Sequence, residues 1–290
     1  MQWVQIVVLG LLLGGVYAMM ASGLTLLFGV MRVVNLAHAA FILIASYLTY
    51  LLFESLTLDP MISLVVTMPL MFGLGVMVYL LLFPRLENSP RYVEMTVLLT
   101  FGLALIVEGL LTFTFSGIFR TVRPAYASTS FILGEIFLPT SQVYASLISF
   151  GLLICLWLVL RYTKTGTAIR ATMQNRAAAQ IVGVNVRRVS ALAFGIGMAL
   201  AGAAGSLLSF MFPFFPARHW QWIALLLALI VLGGMGSIKG AVLGALLLAV
   251  ASAIVTFKIG PTWSPITFYL TLFLILMVRP QGLFGAKVRL

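Results

Sequence analysis

The chain is 290 residues long, 62% hydrophobic and only 8% charged. Soluble domains carry about 25% charged residues, so there is too little polar surface here for a water-facing globule; a cytosolic enzyme, a nucleic-acid-binding module and a disordered tail are excluded. The net charge of +11 does not point to nucleic acid, because the cations are few and scattered between apolar runs. A bilayer with a cationic cytoplasmic side accounts for them.

Runs free of Asp, Glu, Lys and Arg mark the predicted elements in chain order. The first is 1–31. It has no basic residues ahead of it and is too long for a cleavable signal, so it reads as the first span. Next comes 33–53. Between these two lies Arg32, with Asn35 and His38 just beyond. A tight cytoplasmic turn would make Arg32 an interfacial anchor and Asn35 the cap of the next helix. A broken span would make the polar groups line a path, and an intramembrane histidine can relay protons. No acid lies close to His38 in sequence.

The segment 54–60 holds Glu54 and Asp59. Then follow 61–84 and 95–107, the latter continuing past Glu108 to 119. Glu108 is the acid inside a predicted span, where it needs a partner or water; pairing and path lining both fit. The run 136–160 contains the single cysteine, Cys155, so no intrachain disulfide is possible.

The loop 161–190 carries Arg161, Lys164, Arg170, Arg176, Arg187 and Arg188 and no acid. The spacing predicts a short helix over about 166–174 and a second one capped by Asn175 and ended by Gly183. Ala168, Ala171, Ala178 and Ala179 give them low-profile faces that a partner can approach.

The run 189–217 includes Gly195, Gly202 and Gly205 among alanines. Small residues on several faces predict a central helix. The runs 219–238 and 240–257 are split only by Lys239. Gly233-Gly-Met-Gly-Ser-Ile-Lys-Gly240 is no phosphate loop, because Lys239 is followed by Gly240 and no strand precedes it. Gly236, Gly240 and Gly244 instead form a row at steps of four, beside Ser237, Ala241, Ala245, Ala249 and Ala253. Such a strip lets another helix pack very close. Large apolar changes at Leu246 or Leu247, off the strip, are expected to be mild. Gly233-Gly234 permits an unwound stretch, tolerated at membrane depth only inside protein or beside a cavity. The last run is 259–278.

The reading is an all-α, polytopic transmembrane bundle of about eight to ten spans, with broken helices near 29–40 and 233–244. It is one membrane domain over 1–290. The positive-inside rule places 161–190 in the cytoplasm. Counting spans puts 84–92 inside, 54–60 outside, the N-terminus outside, and the C-terminus with Arg279, Lys287 and Arg289 inside. Regions 29–50 and 234–255 both set a polar or Gly-rich break before a small-residue helix, a pattern that transporters repeat in two halves.

No catalytic motif stands out. There are two histidines, His38 and His219, no metal-ligand cluster, and no cofactor or metal is expected. Met20-Ala21 breaks the intramembrane protease motif that Ser22-Gly23 would end, and Asn35-Leu-Ala37 is not a water-channel signature.

Six segments together carry a resemblance. They are Leu24-Thr-Leu-Leu-Phe-Gly-Val-Met-Arg-Val-Val-Asn-Leu-Ala-His38, Leu99-Thr-Phe-Gly-Leu-Ala-Leu-Ile-Val-Glu108, and Thr165-Gly-Thr-Ala-Ile-Arg-Ala-Thr-Met-Gln-Asn-Arg-Ala-Ala-Ala179 with Gly183-Val-Asn. They continue with Ala193-Phe to Ala204-Gly205, Gly233 to Gly240, and Arg279-Pro-Gln-Gly-Leu-Phe-Gly285. In these the chain resembles the permease subunits of bacterial high-affinity branched-chain amino acid importers of the ABC class, over nearly its whole length.

The resemblance implies an inner-membrane importer with a second permease (a copy or a relative), two cytosolic ATPases and an external binding protein. It implies alternating access with no covalent chemistry in the permease. Thr165, Gly166, Arg170, Asn175, Arg176, Ala178, Ala179 and Gly183 would form the ATPase-coupling loop. In related permeases a Glu-Ala-Ala…Gly element docks the ATPase; here Ala177 stands where the glutamate would be. Ala39 stands where the family usually has glycine after the histidine. Asn35, His38, Glu108, Gly233, Gly234 and Gly236 are candidates for the translocation path. Gly202, Gly205, Gly240, Gly244, Ala245 and Ala249 are candidates for helix packing. Related permeases handle branched-chain or other hydrophobic amino acids, amides or urea. The competing reading is a proton-coupled secondary transporter using Glu108 or His38.

Overall fold

The computed structural model describes residues 2–87, 89–279 and 281–284. Lys287, Arg289, Pro280 and Gly285, used above for orientation and resemblance, lie outside the described residues. The chain runs α1 (Gln2–Met31), α2 (His38–Leu56), α3 (Pro60–Leu82), α4 (Tyr92–Phe115), β1 (Ser130–Leu133), β2 (Ile136–Pro139) and α5 (Thr140–Tyr162). It continues with α6 (Lys164–Gln174), α7 (Arg176–Ile181), α8 (Val186–Met211), α9 (His219–Gly233), α10 (Ile238–Lys258) and α11 (Ser264–Val278). Nine helices among the described residues are long and apolar enough to cross a membrane, one for each predicted run. The helical form follows from the solvent: in hydrocarbon every backbone N–H and C=O must find a partner within the segment.

α8 is the centre of the bundle, as its small residues predict. Gly197 lies against the Gly23 carbonyl and Leu27 of α1, Gly202 against the Thr67 carbonyl and Met71 of α3, and Gly205 against the Ile42 carbonyl and Ala45 of α2. A buried hydroxyl network ties the same helices. Ser206 pairs with Thr49 and Thr67 at 2.8 Å each, and Ser46 donates to the Gly205 carbonyl at 2.9 Å.

The helices are interrupted at both predicted places, each time between two segments long enough to span. α1 ends at Met31 and α2 starts at His38; Arg32 adopts φ +55° to turn the chain. The Leu36 N–H reaches Thr100 Oγ1 at 3.2 Å, eight residues into α4, so this break is folded into the bundle. Asn35 does not cap α2. Its Oδ1 accepts from the Ala37 N–H at 3.1 Å and stabilises the turn before the helix. Ala39 is already inside α2, so the break precedes His38. The second break is 234–237, where Gly234 (φ +96°) and Gly236 (φ +85°) take conformations that side chains disfavour. Ser237 then caps α10 by accepting from the Gly240 N–H at 3.1 Å.

Two features were not foreseen. Residues 136–139, read as the start of a span, form a hairpin with 130–133, and the helix begins only at Thr140. The hairpin region sits at the end of the bundle that carries Asp59, which accepts from the Tyr126 hydroxyl at 3.2 Å. Burial and the Asp59 charge both raise the Tyr126 phenol pKa. The tail also returns to α9: Leu283 and Phe284 N–H groups donate to the Leu232 and Gly233 carbonyls at 2.8 and 3.2 Å. Those carbonyls end a helix and have no partner within it.

Candidate functional site

The loop between α5 and α8 is a rigid two-helix element. Thr163 caps α6 by accepting from the Gly166 N–H at 2.9 Å. Gly166 packs directly on the Val159 carbonyl and Leu160 backbone, leaving no room for a side chain. Ile169 is fully buried, and the Met173 methyl lies over Gly29 of α1. Asn175 caps α7, with Oδ1 accepting from the Ala178 N–H at 3.1 Å. α7 ends at Gly183 with φ +87°, and the Val184 N–H returns to the Ala179 carbonyl at 2.9 Å. Thr165 is half-buried, Ala179 is buried, and Arg170, Asn175 and Ala178 are exposed.

Arg176 has an internal partner. Its Nη2 meets Glu87 Oε1 at 2.8 Å, and the Tyr79 hydroxyl donates to the same oxygen at 3.1 Å. Burial pulls the Arg176 pKa down, but the hydrogen bond and charge of Glu87 outweigh it and raise it. The pair is part-exposed, worth about 1 kcal/mol after screening, and it holds α7 to the turn between α3 and α4. It also puts 84–92 and 161–190 at the same end of the bundle.

This element also carries two bare apolar side chains that the sequence analysis does not single out. Ile181 and Val182 are 86% and 77% exposed. The available signal was two large apolar residues directly before Gly183 in an otherwise polar, basic loop.

The candidate path residues divide into separate groups. Asn35 and His38 lie together at the first break. His38 is fully buried, Gly23 makes room for its ring, and neither ring nitrogen has a hydrogen-bond partner among the described residues. Asn35 Nδ2 is likewise unpaired. Unpaired buried polar groups cost about 1–3 kcal/mol each, so they are expensive to keep. Gly236 lies beside the Gly29 backbone, so the two breaks meet. Glu108 stands apart. It lies two turns farther along α4 than Thr100, and its Oε2 accepts from Trp220 Nε1 at 2.9 Å and meets His219 Nε2 at 3.1 Å. His219, at the start of α9, is a partner that sequence distance concealed.

The packing residues meet backbone. Gly233 and Gly240 interlock, each occupying the space a Cβ of the other would need, and Gly244 sits against the Gly233 N–H and Leu229 carbonyl. Ala245 and Ala249 are fully buried, and Ala249 faces Gly14 of α1. Leu246 corrects an expectation. It is not off the contact, because its backbone and side chain press on Gly14. Leu247 is exposed, as expected.

Residues 6–278 match the family described as the permease component of the branched-chain amino acid transport system. The chain is similar to LivH of Salmonella typhimurium, a high-affinity branched-chain amino acid transport system permease protein. Identity is 28%, covering 95% of this chain and 93% of that one. It is similar to BraD of Pseudomonas aeruginosa, a permease of the same description, at 26% identity over 98% and 96%. A shorter similarity, 32% identity over 41% of this chain and 28% of the other, links it to LivM of Escherichia coli. No solved structure matches the chain.

Proposed function

The chain belongs to the permease-component family of branched-chain amino acid transport systems, and from that premise we propose that it forms half of the membrane pathway of an ATP-driven importer in a bacterial inner membrane. It works with a second permease (a copy or a relative), two cytosolic ATPases and an external binding protein. Its substrates are branched-chain or similarly hydrophobic amino acids, as the relatives' names say of them; small amides and urea are the outcome to test beside these. The whole chain acts as one membrane domain, with 161–190 cytoplasmic, 54–60 external, the N-terminus outside and the C-terminus inside. It binds no nucleic acid and performs no covalent chemistry.

The observation that carries this reading is the braced α6–α7 element with Ile181 and Val182 bare at its tip. A lone surface isoleucine needs no explanation, but a rigid pair beside low-profile Ala177 and Ala178 is a docking edge. ATP binding closes the ATPase dimer, the dimer moves α6–α7, and Gly166 passes that motion to α5 because the two backbones touch. Met173 passes it to α1. Both breaks meet near Gly29, so the same push reaches Asn35 and His38, which line the path. Glu108 is already held by His219 and Trp220, and the family match favours the ATP-driven reading over a proton-coupled one.

The test is uptake of labelled leucine into vesicles holding the complete importer and its binding protein. Uptake is expected to require ATP and to survive collapse of the proton gradient. Uptake that needs only the gradient would reject the proposal.

The orientation has its own check. Cys155 is exposed, so Asn175→Cys is made in a Cys155→Ser background. An impermeant maleimide is expected to leave it unlabelled in intact cells and to label it in inverted vesicles. Labelling from outside would reverse the topology.

A further inference from the structure

We propose that the groove between α5, α6 and the start of α10 binds an anionic phospholipid. This site does not depend on the transport reading. The groove has a volume of about 780 Å³. Arg161, Arg170 and Lys239 form its rim, and Leu153, Trp157 and Leu243 are among its walls. None of the three cations is in an ion pair among the described residues, and the sequence has no acid beyond residue 135. Arg170 Nη2 lies 3.5 Å from the Arg161 backbone carbonyl, which brings the Arg170 guanidinium to the end of α5.

Three observations point to lipid over a free anion. Arg161 sits where α5 ends and Lys239 where α10 begins, at the boundary between span and loop, and Arg170 comes from the adjoining α6. Arg161 lies over the Trp157 ring at 5.0 Å, a pairing favoured at the headgroup level where tryptophan collects. The two spanning helices that wall the groove also carry bare apolar residues, with Ile154 and Leu158 of α5 and Leu247 of α10 exposed. A phosphate headgroup would sit among the cations, and its acyl chains would run down the apolar walls. Basic pockets between spanning helices bind acidic headgroups in this way. α10 adds the positive end of a 21-residue helix.

The occupant is a phospholipid with net negative charge, of the phosphatidylglycerol class. The test is native mass spectrometry of the full-length chain in its detergent-purified assembly, titrated with dioctanoyl phosphatidylglycerol, dioctanoyl phosphatidylcholine or inorganic phosphate. Phosphatidylglycerol is expected to bind most tightly. Each cation contributes roughly fivefold, so Arg161→Gln with Arg170→Gln and Lys239→Gln loses on the order of a hundredfold. The triple variant should then bind the two lipids alike. Lys239→Gln alone should lose roughly fivefold, and this exposed change does not threaten folding. Leu243→Trp keeps every charge but fills the wall, and should weaken both lipids. Arg187→Gln with Arg188→Gln removes two cations outside the groove and should change nothing. Unchanged phosphatidylglycerol binding by the triple variant would overturn the site. So would inorganic phosphate binding as tightly as the lipid, or lipid binding only after another protein subunit has been stripped from the groove.

Discussion

Gly240→Leu is expected to abolish both assembly and transport. A side chain at Gly240 would overlap the Gly233 carbonyl oxygen, and backbone cannot rotate away as a side chain can. The closest approach of α9 and α10 would have to open, which also displaces the tail that pairs with Leu232 and Gly233. Overpacking a tight contact costs about 3 kcal/mol at the upper end of the usual range. The structure grades the neighbours. Gly240→Ala should already be severe. Gly244→Ala should be milder, since its Cβ would stand 3.1 Å from the Gly233 N–H nitrogen and the Leu229 carbonyl. Leu246→Phe should damage the α1 contact, because the Cβ space of Gly14 is taken by Leu246. Leu247→Phe should be silent. Fluorescence-detected gel filtration after a heating series, beside vesicle uptake, ranks the five. Equal tolerance at Gly240 and Leu247 would show that the glycine row is not a packing face.

The second large effect is expected at the tip of the α6–α7 element. Ala178→Glu places a bulky charge on an exposed, low-profile face. Ile181→Asp with Val182→Asp removes the apolar edge itself. Burying an isoleucine or valine side chain is worth about 1.5–3 kcal/mol, so losing two weakens docking by on the order of a hundredfold or more. The spans should be unharmed, since all three side chains point away from the bundle and are exposed. The measurement is co-purification of the ATPase with each variant, together with substrate-stimulated ATP hydrolysis. Gly183→Ala serves as an intermediate case. Nothing crowds its Cβ, so only the left-handed backbone resists it, by about 1–2 kcal/mol. If the Ile181 and Val182 double variant keeps both the ATPase and its stimulation, the loop serves only as a topology anchor.

Leu246 shows how far sequence periodicity reaches. Steps of four correctly trace the glycine row, but they treat one helix as if it had one neighbour. α10 has two, α9 on the glycine side and α1 beside Leu246, and the second face is made by Gly10 and Gly14 of another helix. Glu108 shows the same limit from the chemical side. Its partner His219 lies 111 residues away, and no local pattern connects them.

Composition, charge-free runs and small-residue spacing were enough to place nine apolar helices, the interruptions at 32–37 and 234–237, the central place of α8, and the Asn175 cap and Gly183 end of α7. Each of these is set by forces acting within about one turn or one bilayer thickness: backbone satisfaction in hydrocarbon, capping, and the steric freedom of glycine. The tertiary structure alone decided which side chains meet. It paired Glu108 with His219, tied Arg176 to Glu87, left His38 buried without a hydrogen-bond partner among the described residues, and turned Ile181 and Val182 outward. The physical reason is that hydrocarbon favours any apolar face equally, so hydropathy cannot choose the neighbours of a helix. Shape does, through backbone contacts as close as Gly233 against Gly240, and that fit exists only once the helices are assembled.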